Sequence, residues 1–256
     1  MTLIDGIHKI NVLIVGANQG IGLGFVSSLL ENYSIAKIYA TYRDPTKASD
    51  LLALASKKDN RLQCLNIDIT DEDQICKGVE SIRQQVDRLH LVINCAGILH
   101  DRNIQPEKSM RQIDSEQLMR YFQVNSIGPV LLAKHLLPLL SHSSRSVYAT
   151  MSAKLGSIGD NQVGGWYGYR ASKAALNMLM KTVAIEYRRK SPKTIVVMLH
   201  PGTTDTRLSR PFQSNVPPER LFSVERTVNQ LLTVILQLDD GDNGQFFSWN
   251  GDRLPW

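Results

Sequence analysis

A chain of 256 residues, 43% hydrophobic and 21% charged, has the make-up of a soluble globular protein, and at this length one α/β or barrel domain commonly takes the whole sequence. It can bury roughly three quarters of its unfolded surface without a disulfide or metal staple. Its three cysteines, Cys64, Cys76 and Cys95, form no CxxC pair, which argues against both and suits a reducing cytosol. The net charge of +5 comes from scattered Lys and Arg. Their one dense run, Arg188-Arg189-Lys190 with Lys193 behind it, reads as the solvated end of a helix rather than a nucleic-acid surface.

Strand-like and helix-like stretches then alternate. Residues 10–15 are a short apolar run closed by Gly16, and 21–30 carry helical periodicity. A second strand is expected at 38–42, a polar helix from 46 to about 57, and a third strand at 61–67. A helix opened by acidic residues covers 71–85, a fourth strand 89–94, and a long helix lies within 114–140. A fifth strand at 145–151, a helix at 169–189 and a sixth strand at 194–199 follow. A last helix at 225–238 and a short strand at 245–249 complete the pattern. The strands are apolar on both faces, as in a parallel sheet covered on each side. No repeat or linker interrupts residues 1–256, so one domain is expected. The irregular stretch 202–223, with Pro211, Pro217 and Pro218, is longer than an ordinary connection and reads as a lid over a substrate.

Met1-Thr2-Leu3-Ile4-Asp5-Gly6 lacks a basic start followed by an apolar stretch, so no secretory signal is expected. No apolar run approaches the roughly 20 residues that span a bilayer. The expectation is a cytoplasmic protein that engages neither membrane nor nucleic acid.

Between the first strand and helix stands Gly16-Ala17-Asn18-Gln19-Gly20-Ile21-Gly22. Glycines here let the backbone turn tightly, approach a pyrophosphate, and pack the helix on the strand. The helix N-terminus offers free N–H groups and partial positive charge to phosphates. Its place, after a strand and opening a helix, marks a dinucleotide site. The expected fold is therefore a single-domain Rossmann fold, a doubly wound, mostly parallel sheet of about seven strands with helices on both faces. An acid about 20 residues further on would hold the ribose 2′-hydroxyl of NAD. Counting from Gly22 lands on Tyr42, with no acid, and Arg43 follows. A guanidinium there pairs with a 2′-phosphate, which favours NADP(H) over NAD(H). The other reading is a surface arginine paired with Asp44.

Tyr169-Arg170-Ala171-Ser172-Lys173 puts a phenol and an ammonium one helical turn apart. A phenol has a pKa near 10, and a neighbouring ammonium, with an oxidised nicotinamide, favours the phenolate. Such a phenol protonates an alkoxide as hydride arrives at carbon, or takes the proton in reverse. Ser152, ending the fifth strand, could orient the same oxygen by a hydrogen bond. Ser157, in the loop that follows, is its rival.

Taken together these motifs resemble the short-chain dehydrogenase/reductase family along essentially the whole chain. Asp68-Ile69-Thr70 is similar to the family's acid near the adenine. Asn94-Cys95-Ala96-Gly97 resembles its Asn-Asn-Ala-Gly, and Pro201-Gly202 with Thr204 and Thr206 its nicotinamide-side segment. Within the family, residues 151–161 and the tail 246–256 resemble the branch of C-factor and the sniffer-like carbonyl reductases. The resemblance implies Ser152, Tyr169, Lys173 and Asn125 as catalytic residues, Asn125 holding a water in the proton relay. It implies a cofactor held by Gly16, Asn18, Gln19, Gly20, Ile21, Gly22, Arg43, Asp68, Ile69, Asn94, Ala96, Gly97, Tyr169, Lys173, Pro201, Gly202, Thr204 and Thr206. The activity implied is reduction of an aldehyde or ketone by NADPH in a homodimer or homotetramer, against a cell–cell signalling or NADP(H)-sensing role on the C-factor side. Three residues depart from the family pattern: Val15 for a threonine, Cys95 for the second asparagine, and Gln19 where many NADP(H) users carry a base.

Other residues carry plainer expectations. His100 either borders the pocket or, the favoured reading, is a loop histidine contacting backbone, and His200, before Pro201-Gly202 on the nicotinamide side, gets no catalytic task. Trp166 and Tyr167 either line the substrate pocket or simply pack. The six histidines lack metal-ligand spacing, so no metal is expected.

Overall fold

Fully buried aliphatic strands need partners on both edges and cover on both faces. In β4 (Leu91–Asn94) and β5 (Ser146–Met151) every residue is buried. The computed structural model, which describes residue 4, residues 9–57 and residues 60–256, places both in a seven-stranded sheet. The segment read for a secretory signal lies, apart from Ile4, outside the described residues. The first strand, β1 (Ile10–Val15), lies third in the sheet, beside the central β4. On one side come β2 (Ile35–Tyr42) and β3 (Leu62–Asn66); on the other come β4, β5, β6 (Thr194–His200) and finally β9 (Phe246–Ser248). Every pairing is parallel. The order therefore reverses between β1 and β4, and the crevice beyond their carboxyl ends is where such sheets bind ligands.

Helices α1 (Gly20–Asn32), α2 (Ser49–Lys57) and α7 (Val224–Gln237) pack on one face through Phe25, Leu29, Leu51, Val228 and Leu231. Helices α3 (Glu72–Arg83), α5 (Gly128–Leu140) and α6 (Tyr167–Lys190) cover the other through Ile75, Val79, Leu132, Leu136, Leu176 and Met180. No described helix is long and apolar enough to cross a membrane.

Two expectations need revision. The long helix at 114–140 is three pieces: α4 (Ser115–Phe122), a π-helical turn at Gln123–Ile127, and α5. The cause is local, because Pro129 has no N–H to return to the Asn125 carbonyl one turn earlier. Nor is 202–223 structureless. A two-stranded ribbon of β7 (Thr203–Thr204) and β8 (Leu221–Phe222) ties its ends together, with 3₁₀ turns at Arg210–Asn215 and Pro218–Arg220.

The candidate active site

The crevice at the carboxyl edge of β1 and β4 encloses about 770 Å³, and its walls come from distant parts of the chain. One wall is the glycine loop: Gly16, Asn18, Gln19, Gly20, Ile21 and Gly22 all line it. Gly16 has a left-handed φ of 75°, and a Cβ there would stand 2.9 Å from the backbone nitrogen of Ala96. A Cβ on Gly22 would stand 2.2 Å from the carbonyl oxygen of Gly16. Side chains are thus excluded so that strand, loop and helix can close on each other. Gln19, the N-cap of α1, makes no side-chain cap bond, so the first-turn N–H groups point to the crevice without a side-chain acceptor. This is a cradle suited to a pyrophosphate.

Sequence reasoning missed the residue that holds this loop. Thr41, in β2, accepts from the Gly16 N–H through its hydroxyl (3.1 Å) and from the Ala17 N–H through its carbonyl (2.8 Å). It substitutes from a neighbouring strand for the hydrogen bond that Val15 cannot make.

At the far end of the crevice stand Arg43, Asp68 and Ile69. Asp44 does not pair with Arg43: its carboxylate takes the Thr46 N–H and hydroxyl and lies 3.2 Å from Lys47 Nζ. Those contacts hold its pKa below the ordinary carboxylate value, the Thr46 and Lys47 hydrogen bonds leading. Among the described residues the Arg43 guanidinium has no partner, so it stays free for an anion. Asp68 accepts from the N–H and hydroxyl of Thr70, which fixes the loop after β3.

The opposite wall is chemical. Tyr169 and Lys173 both line the crevice and are both buried, 7% and 4% exposed. Lys173 Nζ donates to the Met151 carbonyl at 2.8 Å and lies 5.9 Å from the Tyr169 ring centre. A Cβ on Gly97 would stand 3.6 Å from that nitrogen, so the Asn94–Gly97 turn leaves just enough room for the ammonium. Burial pushes the phenol up and the ammonium down to about 8, with Cys95 opposing the second shift. Desolvation by burial is the cause at the phenol, and it favours the neutral, protonated form of Tyr169. Ala96, Gly97, Pro201 and Thr206 also line the crevice.

Several expected site residues lie elsewhere. Ser152 is 4% exposed, does not line the crevice, and donates its hydroxyl to Asn177 Oδ1 at 2.6 Å. In this structure that bond braces α6 against the end of β5. Ser157 does not line the crevice either, and its hydroxyl accepts from the Asp160 N–H. The Asn125 side chain is fully buried and spent on Ile98 and Ser172, so its side chain ties the β4 loop to α6. Asn94 lies beneath the crevice, bonded to Thr150 Oγ1 and the Ala96 N–H. Thr204 is buried against Thr227, and Gly202 packs under Phe222 and Trp249.

His100 lines the crevice and contacts the Arg207 carbonyl at 3.2 Å, a loop histidine on backbone. Trp166 packs edge-on to Tyr169 (6.2 Å) and against Phe212 (4.8 Å), and it is not part of the lining. Among the described residues no cluster of His, Cys, Asp and Glu is arranged to hold a metal.

A glycine cradle at the switch point, facing a buried tyrosine and lysine one turn apart, defines a nucleotide-dependent oxidoreductase. The family model for short chain dehydrogenase matches residues 10–217, and the chain belongs to that family. It is similar to the NADPH-bound carbonyl reductase from chicken fatty liver: 31% identity, 98% of this chain and all of that one covered, TM-score 0.86. It is also similar to the carbonyl reductase Sniffer of Drosophila melanogaster, with 29% identity over 97% of this chain and all of that one, TM-score 0.85. C-signal of Myxococcus xanthus is 30% identical over 148 residues, 58% of this chain and 84% of that protein.

Proposed function

We propose that this oxidoreductase reduces an aldehyde or ketone to the alcohol with NADPH, using Tyr169 as proton donor. One observation carries the reading: Tyr169 and Lys173 line the same crevice as the uncapped N-terminus of α1. The glycine loop, with Tyr169 and Lys173 opposite, would hold a nicotinamide dinucleotide in that crevice, and it would supply hydride to the carbonyl carbon. Tyr169, kept neutral by burial, gives its proton to the carbonyl oxygen as the carbon–oxygen double bond opens. Lys173, fixed by Met151, supplies positive charge beside the phenolate left behind. The resemblance to family members would put the nicotinamide ribose on the same ammonium. The free Arg43 supports NADPH over NADH, since a 2′-phosphate would give that guanidinium its missing partner. Met178 and Ile185, exposed on one face of α6, support a homodimer or homotetramer.

A second reading, favoured by the likeness to C-signal, is a signalling or NADP(H)-sensing protein in which catalysis is incidental. One experiment separates the two. Aldehydes and ketones are screened with NADPH and NADH at the nicotinamide absorbance, and Tyr169→Phe is compared with wild type. The enzyme reading expects turnover to fall by about 10²-fold or more with NADPH still bound. It fails if no carbonyl is reduced, or if the variant turns over like wild type.

A further inference from the structure

Glu107 lies between β4 and α4, is 2% exposed, and has no part in the chemistry above. A buried carboxylate is costly unless its surroundings repay the lost hydration, so its partners matter. Both oxygens accept from the backbone N–H of Gly168, at 3.3 and 3.2 Å. The carbonyl of the same residue accepts from the backbone N–H of Trp166. One residue therefore holds the N–H groups on either side of Tyr167, at the very start of α6. These are donors that a helix cannot satisfy internally, and Trp166, the N-cap, has no side-chain acceptor to offer.

The chain enters this helix under strain. Gly164, Gly165 and Trp166 are successively left-handed, with φ of 70°, 67° and 52°. For a tryptophan that conformation persists only where its surroundings over-determine it. The surroundings are close. A Cβ on Gly168 would stand 2.4 Å from Tyr121 Cδ2 and 3.0 Å from Glu107 Oε1. Tyr121 is anchored in turn by its hydroxyl, which donates to the Leu99 carbonyl at 2.6 Å, and its ring meets Tyr169 edge-on at 6.4 Å. The backbone just ahead of the proton donor is gripped by Glu107 on one side and wedged by Tyr121 on another.

We propose that Glu107 is a positioning residue for the reaction, setting the start of α6, and with it the Tyr169 hydroxyl, by the reach of its side chain rather than by its charge. The inference rests on the reading of Tyr169 as proton donor. Its logic is geometric. No cation faces the carboxylate among its described contacts, and an amide oxygen at the same reach would accept from Gly168 equally well. Shortening the arm instead releases the helix start, where misplacement by about 1 Å costs on the order of 10²-fold in rate.

The test compares Glu107→Asp with Glu107→Gln in the full chain. It measures kcat and KM for a carbonyl substrate, NADPH affinity by fluorescence titration, and Tm. Glu107→Asp is expected to lower kcat about 10- to 100-fold, with NADPH affinity and Tm close to wild type. Glu107→Gln, which keeps the reach, should restore kcat to within about threefold of wild type. A wild-type kcat in Glu107→Asp overturns the proposal. So does a Glu107→Gln as damaged as Glu107→Asp, because charge would then be what matters. A parallel loss of kcat, NADPH affinity and Tm in both variants points to general support of the fold and overturns it too. Tyr169→Phe is run alongside: if it keeps full turnover, the proton-donor reading fails by itself, whatever the Glu107 pattern.

Discussion

Lys173 Nζ donates to the carbonyl of Met151 at 2.8 Å, locking the helix that carries the phenol to the end of β5. Lys173→Met should therefore remove both a cation and a brace. We expect reduction to slow by about 10²- to 10⁴-fold. In alcohol oxidation, which needs the phenolate, loss of the cation raises the phenol pKa, so the ascending limb of the rate profile should move to higher pH. A limb that stays in place would remove the ammonium from the mechanism.

Arg43 lines the crevice without an ionic partner among the described residues. A charge-assisted contact is worth about 1.5–3 kcal/mol, so Arg43→Ala should raise the KM for NADPH by roughly 10- to 100-fold. The KM for NADH should hardly change. Equal effects on both coenzymes would show that the guanidinium does not read the 2′-phosphate.

Gly16→Ala combines a left-handed backbone with a Cβ 2.9 Å from the Ala96 nitrogen. The strain alone costs on the order of 1–3 kcal/mol. We expect a lower Tm and NADPH binding weakened beyond detection in a fluorescence titration. Unchanged binding would contradict the close packing of loop on loop.

Ser152 gives its hydroxyl proton to Asn177 Oδ1, and Asn177 Nδ2 already has no described partner. Ser152→Ala leaves a further buried polar atom unpaired, at a cost of about 1–3 kcal/mol. The signature expected is a drop in Tm with kcat/KM reduced less than about tenfold. A loss of about 10²-fold or more at unchanged Tm would put this hydroxyl back at the substrate oxygen.

His90 and His200 are both held down to about 4 by burial, with the charge of His142 adding at His90 and that of Lys154 at His200. A folded pKa below the unfolded value near 6.5 means that unfolding takes up protons. Stability is full above pH 6.5 and is lost as pH falls towards 4. Thermal melts from pH 7 to pH 4.5 should show this decline, and His200→Gln should make it shallower. Identical slopes would assign the acid sensitivity to other groups.

What the sequence displayed well were the features fixed within one turn or one strand. The glycine run, the Tyr169–Lys173 spacing and the alternation of elements are local, and local sterics impose them. The directions of side chains were not legible. Ser152 ends its strand as expected, but its hydroxyl turns to Asn177, 25 positions away. Glu107 looks like an ordinary loop residue until a chain reversal brings it against Gly168, 61 positions on. The π-helical turn was visible in principle, since Pro129 follows Asn125 by one turn, yet the hydrophobic period passes through it unbroken.

Thr41 joins the phosphate loop to the strand that leads, two residues later, to Arg43. The element that would select between coenzymes and the element that would hold their shared diphosphate are thus mechanically one piece. Redesign toward NADH is best confined to positions 43 and 44, because any change that disturbs residue 41 would loosen the grip on either coenzyme and be mistaken for a change of preference.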